Sequence, residues 1–377
     1  MVTIFKNATP EILSEIQEEL RVRKTSKYVL LFSMGSQFDH LIVQKLAKLG
    51  VYALVADPAS VTAEDVKTAA PAGIILSGGP ASVFDEPPPF DDKIFDLGIP
   101  TLGVCLGFQM WAKHVGAPVT PHEKREFGVH TFKQAGNDPL FANIPSETLV
   151  LETHGDAIEM SSALTNLGST DNAPVAAGRK GHLWGVQFHP EVTDTVEGEK
   201  MYDNFLNICG ITERFPAQSE AKRKVQEIRE KISGKKVIIA LSGGSDSSVV
   251  AYLLKEAGGA RIKGVYIRGI DRPDDEAYVR EYFSSQPWIE VEVADATDRF
   301  LEALAGKTNM RDKRMAMRGV YKEVLEAKIK EFGADFIAQG TLYTDLRESG
   351  HGHATGARIA EIKVHHNTNL GFSVPEL

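Results

Sequence analysis

Short, almost unbroken apolar runs recur along the chain, and between them apolar residues return at helical spacing. "YVLLFSM", "VYALVA", "AGIILSGG" and "TLGVCLG" come first, followed by "ETLVLETH" and "HLWGVQFHP". Strands buried on both faces read this way, so the pattern predicts parallel sheets with helices on either side. After "NICG" the character changes: "TERFPAQSEAKRKVQEIREKISGKK" is polar, charged and helical in period, as a linker helix would be. A second strand and helix alternation then runs through "KVIIAL", "RIKGVYIRG", "IEVEVAD" and "ADFIAQGT". The expected class is α/β, with two doubly wound domains of mainly parallel sheet and a division near residues 210 to 230. In ranges, this gives an N-terminal helical extension over 1–26, a first domain over 27–210, a linker helix over 211–234 and a second domain over 235–377. In the extension, "TPEILSEIQEELRVRK" predicts a short amphipathic helix capped by Thr9, with Pro10 in its first turn.

Composition adds limits rather than identity. A chain of 377 residues with 42% hydrophobic and 25% charged residues is ordinary globular protein, long enough for two or three domains. No stretch reads as a membrane span or a signal peptide, and two cysteines, Cys105 and Cys209, argue against a disulfide framework. A cytoplasmic location is expected. A net charge of -9 disfavours non-specific nucleic-acid binding, so neither nucleic acid nor membrane is expected as a partner.

Candidate chemistry in the second half starts at one loop. Val237 to Leu241 reads as a buried strand, Ser242 to Ser248 as a turn of glycines and serines, and Ser248 to Lys255 as the start of a helix. That order makes an anion site, because unpaired N–H groups at a helix start converge on one spot. The loop lacks the lysine of a Walker motif, which leaves backbone amides and the hydroxyls of Ser242, Ser247 and Ser248 to grip phosphate. Asp246 would repel phosphate unless a divalent cation lay between them, so the reading is Mg2+-bound pyrophosphate. A plain Gly/Ser turn is the alternative.

The first half has its own chemistry. "GVCLGFQ" puts Cys105 at a sharp turn between strand and helix, where Gly103 and Gly107 permit close approach. Such a turn exposes a sulfur and aims helix N–H groups at it, favouring thiolate and supplying oxyanion donors. "GVQFHPE" offers His189 and Glu191 at another strand end: an imidazole to take the thiol proton and a carboxylate to orient it. Read singly, the cysteine is an inert core residue and the histidine part of a turn; together they favour a Cys-His-Glu nucleophile.

Several motifs resemble a known family. "GVCLGFQ", "IILSGGPASVFDE" and "GVQFHPEVTDT" resemble the class I glutamine amidotransferase domain. "ALSGGSDSSVVA", "DRFLEALAG", "AQGTLYTDLRES" and "IKVHHN" resemble the ATP pyrophosphatase domain of the GMP synthetase family, an adenine-nucleotide alpha-hydrolase-like fold. The resemblance implies an ATP-dependent C–N ligase with glutamine as nitrogen donor. Cys105 would attack the glutamine amide, with His189 as base and then acid and Glu191 orienting it. Gly79 and the N–H of Leu106 would form the oxyanion hole, and Gln109, His154 and Asp156 would hold glutamine. In the second half Ser242, Gly243, Gly244, Ser245, Asp246, Ser247 and Ser248 would take the pyrophosphate of ATP. Gly340, Thr341 and Asp345 would line the nucleotide and its metal, with Asp246 and Asp345 as the metal carboxylates and Mg2+ arriving with ATP. Lys363 would bring a positive charge on a loop far along the chain. The implied acceptor is the C2 carbonyl of xanthosine monophosphate (XMP), giving GMP, AMP and pyrophosphate.

The chain also departs from the family pattern. Ser245 stands where valine is usual, "VYIRGIDRP" replaces an aspartate-asparagine-glycine strand end, and the chain stops at "LGFSVPEL" where the family continues into a dimerisation domain. A homo-oligomer or a partner chain is therefore expected to supply what that domain provides. One alternative is a short paralogue amidating another nucleotide-like or small-molecule acceptor; another is a non-catalytic glutamine- or nucleotide-binding protein. Sulfur transfer would need a cysteine in the second half, and none follows Cys209. His351, His353, His365 and His366 raise a zinc site, but their spacing lacks the i, i+4 register of a helical pair.

Overall fold

The structure, a computed structural model, describes residues 4–84, 88–215, 217–269, 272, 274–340 and 370–377, with backbone alone over 122–126 and 217–221. Thr341, Asp345, Lys363 and the four histidines of the zinc reading lie outside the described residues. The chain forms two compact units that divide at Ala217 and Gln218.

The first unit begins with α1 (Pro10–Arg23), where the Thr9 side chain accepts from the Ile12 N–H and Lys24 closes the helix in the left-handed conformation. Then come β1 (Val29–Phe32), α2 (Asp39–Lys48), β2 (Ala53–Ala56), α3 (Ala63–Ala69), β3 (Gly73–Leu76), β4 (Thr101–Val104) and α4 (Leu106–His114). A capping box of Thr62 and Asp65 starts α3. The unit continues through β5 (Val119–Gln134), β6 (Glu147–Ile158), β7 (Thr165–Ser169), β8 (Ala177–Lys180), β9 (Leu183–Val186) and α5 (Gly198–Ile208). Among the described residues these strands make one sheet in the order β2-β1-β3-β4-β9-β8-β7-β5-β6. Pairing is parallel from β2 through β9 and antiparallel from β9 to β6.

The two halves of this sheet follow from their residues. β1 to β4 are buried at every position, as continuous apolar runs require, whereas β6 alternates exposed and buried over its first half. Leu30, Phe32, Ile74 and Leu76 face a core shared with Ile16 and Leu20 of α1, Val66 of α3 and Trp111 of α4. Leu31, Val55, Ile75 and Val104 face the opposite core with Ile42 of α2 and Tyr202 and Phe205 of α5. The N-terminal helix is thus packed into the first unit.

The second unit contains α6 (Ala217–Ile232), β10 (Lys236–Leu241), α7 (Ser245–Ala257), β11 (Arg261–Arg268), α8 (Asp275–Phe283), β12 (Ile289–Asp295), α9 (Thr297–Leu304), α10 (Met310–Phe332) and β13 (Phe336–Ala338). Its sheet is parallel throughout, in the order β12-β11-β10-β13. Val237, Ile239 and Leu241 pack towards α6, α7 and α8; Ile238 and Ala240 pack towards α9 and α10. The polar helix read as a linker buries Val225, Ile228 and Ile232 against this core. One boundary differs from the sequence reading: α7 starts at Ser245, not Ser248. Gly244 takes the extended N-cap conformation, and Ser245 and Asp246 suit a first helical turn, where small polar and acidic residues meet free N–H groups.

Candidate active site

β4 ends at Val104, and the next residue, Cys105, takes φ 50° and ψ -105° before α4 begins at Leu106. A non-glycine residue there costs about 1–3 kcal/mol of backbone strain, held by its surroundings. Those surroundings explain the two glycines. A Cβ on Gly103 would lie 2.5 Å from the Phe108 nitrogen, and one on Gly107 2.5 Å from the Leu76 carbonyl oxygen. The Cys105 N–H donates to the Val186 carbonyl at 2.8 Å, tying the elbow to the strand that leads to the histidine.

His189 follows β9 and is 4% exposed. Its Nδ1 lies 2.8 Å from Glu191 Oε1, and its Nε2 lies 2.8 Å from the Thr153 hydroxyl on β6. Burial alone would pull the imidazole pKa down. The Glu191 carboxylate and the neighbouring Cys105 sulfur more than reverse this, leaving it well above its ordinary value. The ring is therefore biased towards imidazolium beside the sulfur, the state in which a thiolate is neutralised locally. Phe38 meets the ring edge-on at 5.6 Å.

The other residues expected around the nucleophile also gather in this unit. A Cβ on Gly79 would lie 2.3 Å from the Met34 carbonyl oxygen and 2.8 Å from the Leu106 side chain, so Gly79 abuts the residue after the cysteine. As the first residue of α4, Leu106 carries an N–H with no acceptor inside the helix. Gln109 Nε2 donates to the Asp156 carbonyl at 3.1 Å and to Gln187 Oε1 at 3.2 Å. The Ser82 hydroxyl donates to Asp156 Oδ2 at 2.6 Å. His154 Nδ1 donates to the Asp156 carbonyl at 2.9 Å, and its Nε2 lies 3.1 Å from Glu152 Oε2, a contact that closes only with a proton between them.

Three neighbours escaped sequence reasoning. Gly78 is the glycine facing the chemistry: a Cβ there would sit 3.0 Å from the His189 ring and 3.5 Å from Cys105 Cβ. Gln187 Nε2 approaches the Cys105 sulfur at 3.6 Å, and Thr153 takes the histidine nitrogen opposite Glu191. Gly78 and Gln187 stand inside "SGGP" and "GVQFHPE", so only the face each turns to the site was missing.

In the second unit, Ser242 to Ser248 connects β10 to the first turn of α7. Gly243 has φ +76°, and a Cβ on it would meet the Asp275 backbone at 3.0 Å. The Ser247 and Ser248 hydroxyls each donate to the Gly244 carbonyl at 3.0 Å, and the Ser242 N–H donates to Ser247 Oγ at 3.2 Å. These hydroxyls brace the loop. Ser242, Gly244, Ser245 and Asp246 are exposed along it. Gly340 packs onto the loop, with space for a Cβ blocked 2.5 Å away by the Ser247 nitrogen. Just before it, the Gln339 amide is buried and both its polar atoms lack a partner among the described residues. At the end of β11, Arg268 is held by Glu276 at 2.7 Å and Asp295 at 2.9 Å, and Glu276 is pushed down to about 2 chiefly by Arg268 and Arg280. Among the described residues no group of three or more His, Cys, Asp or Glu is placed to hold a metal ion.

Comparison with known proteins covers both units. Residues 30–209 match the class-I glutamine amidotransferase family, and residues 235–339 match the tRNA methyl transferase HUP domain. A glutamine-hydrolyzing GMP synthase of Bacillus mycoides is 35% identical over 353 residues, covering 92% of this chain and 68% of the relative. That of Lactococcus lactis is 36% identical over 350 residues, covering 91% and 67%. The chain belongs to the GMP synthase family. It is thus an ATP-dependent ligase that draws nitrogen from glutamine, with an amidotransferase domain followed by an ATP pyrophosphatase domain. Among solved structures, a GMP synthase subunit from Thermoplasma acidophilum is 26% identical, with a TM-score of 0.43, over 54% of this chain and 98% of its own. Among the described residues no helix is long and apolar enough to cross a membrane.

Proposed function

We propose that the chain aminates the C2 carbonyl of XMP to give GMP, with ammonia released from glutamine at Cys105 and the carbonyl activated by ATP. The observation that supports this most directly is the buried His189, fixed on one nitrogen by Glu191 at 2.8 Å and meeting Cys105 across Gly78, where a Cβ would sit 3.0 Å from the ring and 3.5 Å from Cys105 Cβ.

In the amidotransferase half, the Cys105 sulfur attacks the glutamine carboxamide carbon and the oxygen takes up charge facing the N–H groups of Gly79 and Leu106. The C–N bond breaks as His189 gives its proton to the departing nitrogen, and ammonia leaves. His189 then accepts a proton from water, which cleaves the thioester to glutamate and restores the thiol. Gln109, His154 and Asp156 hold the rest of the substrate. Glu191 stays ionised and orients the ring throughout.

In the ATP half, the acceptor oxygen attacks the alpha-phosphate and pyrophosphate leaves into the Ser242–Ser248 loop. Ammonia then displaces AMP from the adenylated carbonyl. Gly340, Thr341 and Lys363 would line the nucleotide, and Asp246 and Asp345 would hold Mg2+, which would supply charge neutralisation to the phosphates. Asp246 suits that ion: it is an exposed carboxylate at the loop, and Mg2+ uses one or two carboxylates beside phosphate oxygens and water. Asp345 would be the second.

The test is incubation with Mg2+-ATP, amide-15N glutamine and XMP, with products followed by mass. Labelled GMP with one AMP and one pyrophosphate per turnover is expected. In Cys105→Ala, glutamine-driven product should vanish while ammonia-driven product survives; loss of neither would remove the glutaminase assignment. Absence of GMP from a folded, ATP-binding protein would redirect the search to other carbonyl nucleotides.

A further inference from the structure

Behind the catalytic carboxylate stands a phenol that the reaction above does not use. Helix α5 lies directly on the segment carrying His189 and Glu191: a Cβ on Gly198 would fall 2.0 Å from the Pro190 carbonyl oxygen. Tyr202 is one turn further on the same helical face. It is wholly buried, in the core that also contains Val104, Cys105 and Phe188.

Glu191 is 1% exposed, and among the described residues one of its two oxygens is hydrogen-bonded. Oε1 takes the His189 Nδ1 hydrogen bond; Oε2 is buried and has no hydrogen-bond partner among the described residues, and the same holds for the Tyr202 hydroxyl. Two orphaned polar atoms in one dry core are costly, and here one is an obligate acceptor and the other a donor. Burial first, and then the Glu191 carboxylate, hold the Tyr202 hydroxyl protonated well above its usual range, and Asp39 of α2 adds to this. Asp39 is the rival acceptor, but one of its oxygens already takes the Ser33 hydroxyl. Rotation about the terminal bond of a glutamate is soft, so one hydrogen bond alone does not fix its plane.

We infer that the Tyr202 hydroxyl donates to Glu191 Oε2 and so holds the carboxylate in the plane that keeps Oε1 on His189. Tyr202 is a positioning residue: it touches neither glutamine nor sulfur, and acts on the thiol through Glu191 and His189. The inference rests on reading Cys105, His189 and Glu191 as the glutaminase triad.

The test uses the full chain and the rate of Cys105 alkylation by iodoacetamide from about pH 5 to 9, read by mass. Cys209, whose thiol burial pushes up to about 12, is the slow internal reference. In Tyr202→Phe, losing a donor to the ionised carboxylate should move the acidic limb of the profile to higher pH. On that limb the rate should fall about three- to tenfold, with Cys209 unchanged. For glutamine hydrolysis kcat should fall while KM stays within about twofold. A limb identical to wild type, or a higher melting temperature with unchanged reactivity, would mean that the hydroxyl serves Asp39 or nothing, and would overturn the inference. Should Tyr202→Phe fail to fold, 3-fluorotyrosine at this position keeps the ring and strengthens the donor; the limb should then move to lower pH, and an unmoved limb is again fatal. The parent reading fails separately, if Cys105→Ala hydrolyses glutamine as wild type does.

Discussion

Gly340→Ala is the sharpest probe of how the second unit works, because it adds one methyl group where only backbone is in the way. The added carbon would lie 2.5 Å from the Ser247 nitrogen, 2.7 Å from the Asp246 carbonyl carbon and 2.9 Å from Ser247 Cα. No side-chain rotation relieves contacts with backbone. Ordinary contact starts near 3.4 Å, so strand end and loop must separate by about 0.9 Å. The residues that move are those whose amides would meet the pyrophosphate, and a displacement near 1 Å at a reacting centre costs about 100-fold. Overpacking of this kind also destabilises by about 1–3 kcal/mol, a fall of several degrees in melting temperature. Pyrophosphate release should therefore drop about 100-fold, and the rise in melting temperature on adding Mg2+-ATP should shrink. Glutamine hydrolysis measured without ATP should persist. Pyrophosphate release within about twofold of wild type would refute the argument that this contact sets the loop.

Other expectations follow from buried groups. Folding raises the His189 pKa above its ordinary 6.5, so its protonation contributes stability that is full below about pH 6.5 and lost as pH rises through the elevated folded value. Glu191→Gln removes the largest influence raising it; the wild-type advantage in melting temperature should be greatest near pH 6 and shrink upward, and a pH-independent difference would contradict this. Gln339→Leu removes a buried amide that has no partner among the described residues, so the ATP-free protein should melt higher while the KM for ATP rises about three- to tenfold; unchanged ATP dependence would show that the amide faces no ligand. Thr62→Ala deletes the capping box of α3 and should cost about 1 kcal/mol in denaturant titration without changing kcat.

By itself, the sequence determined the parallel strands of both units and the elbow. Continuous apolar runs identify β1 to β4 and β10, since strands buried on both faces need no alternation. "GVCLGFQ" announces its turn because Cys105 can hold positive φ only where Gly103 and Gly107 let two backbones touch. Only the tertiary structure decided what surrounds the reacting groups. Thr153 reaches His189 from 36 residues away, Gln187 reaches Cys105 from 82, and Gly340 braces a loop almost a hundred positions earlier. Periodicity records whether a residue is buried, and not what it is buried against. Tyr202 shows this most clearly: at helical spacing it is one more aromatic core residue, and only the packing of α5 on Pro190 brings its hydroxyl under the influence of the Glu191 carboxylate.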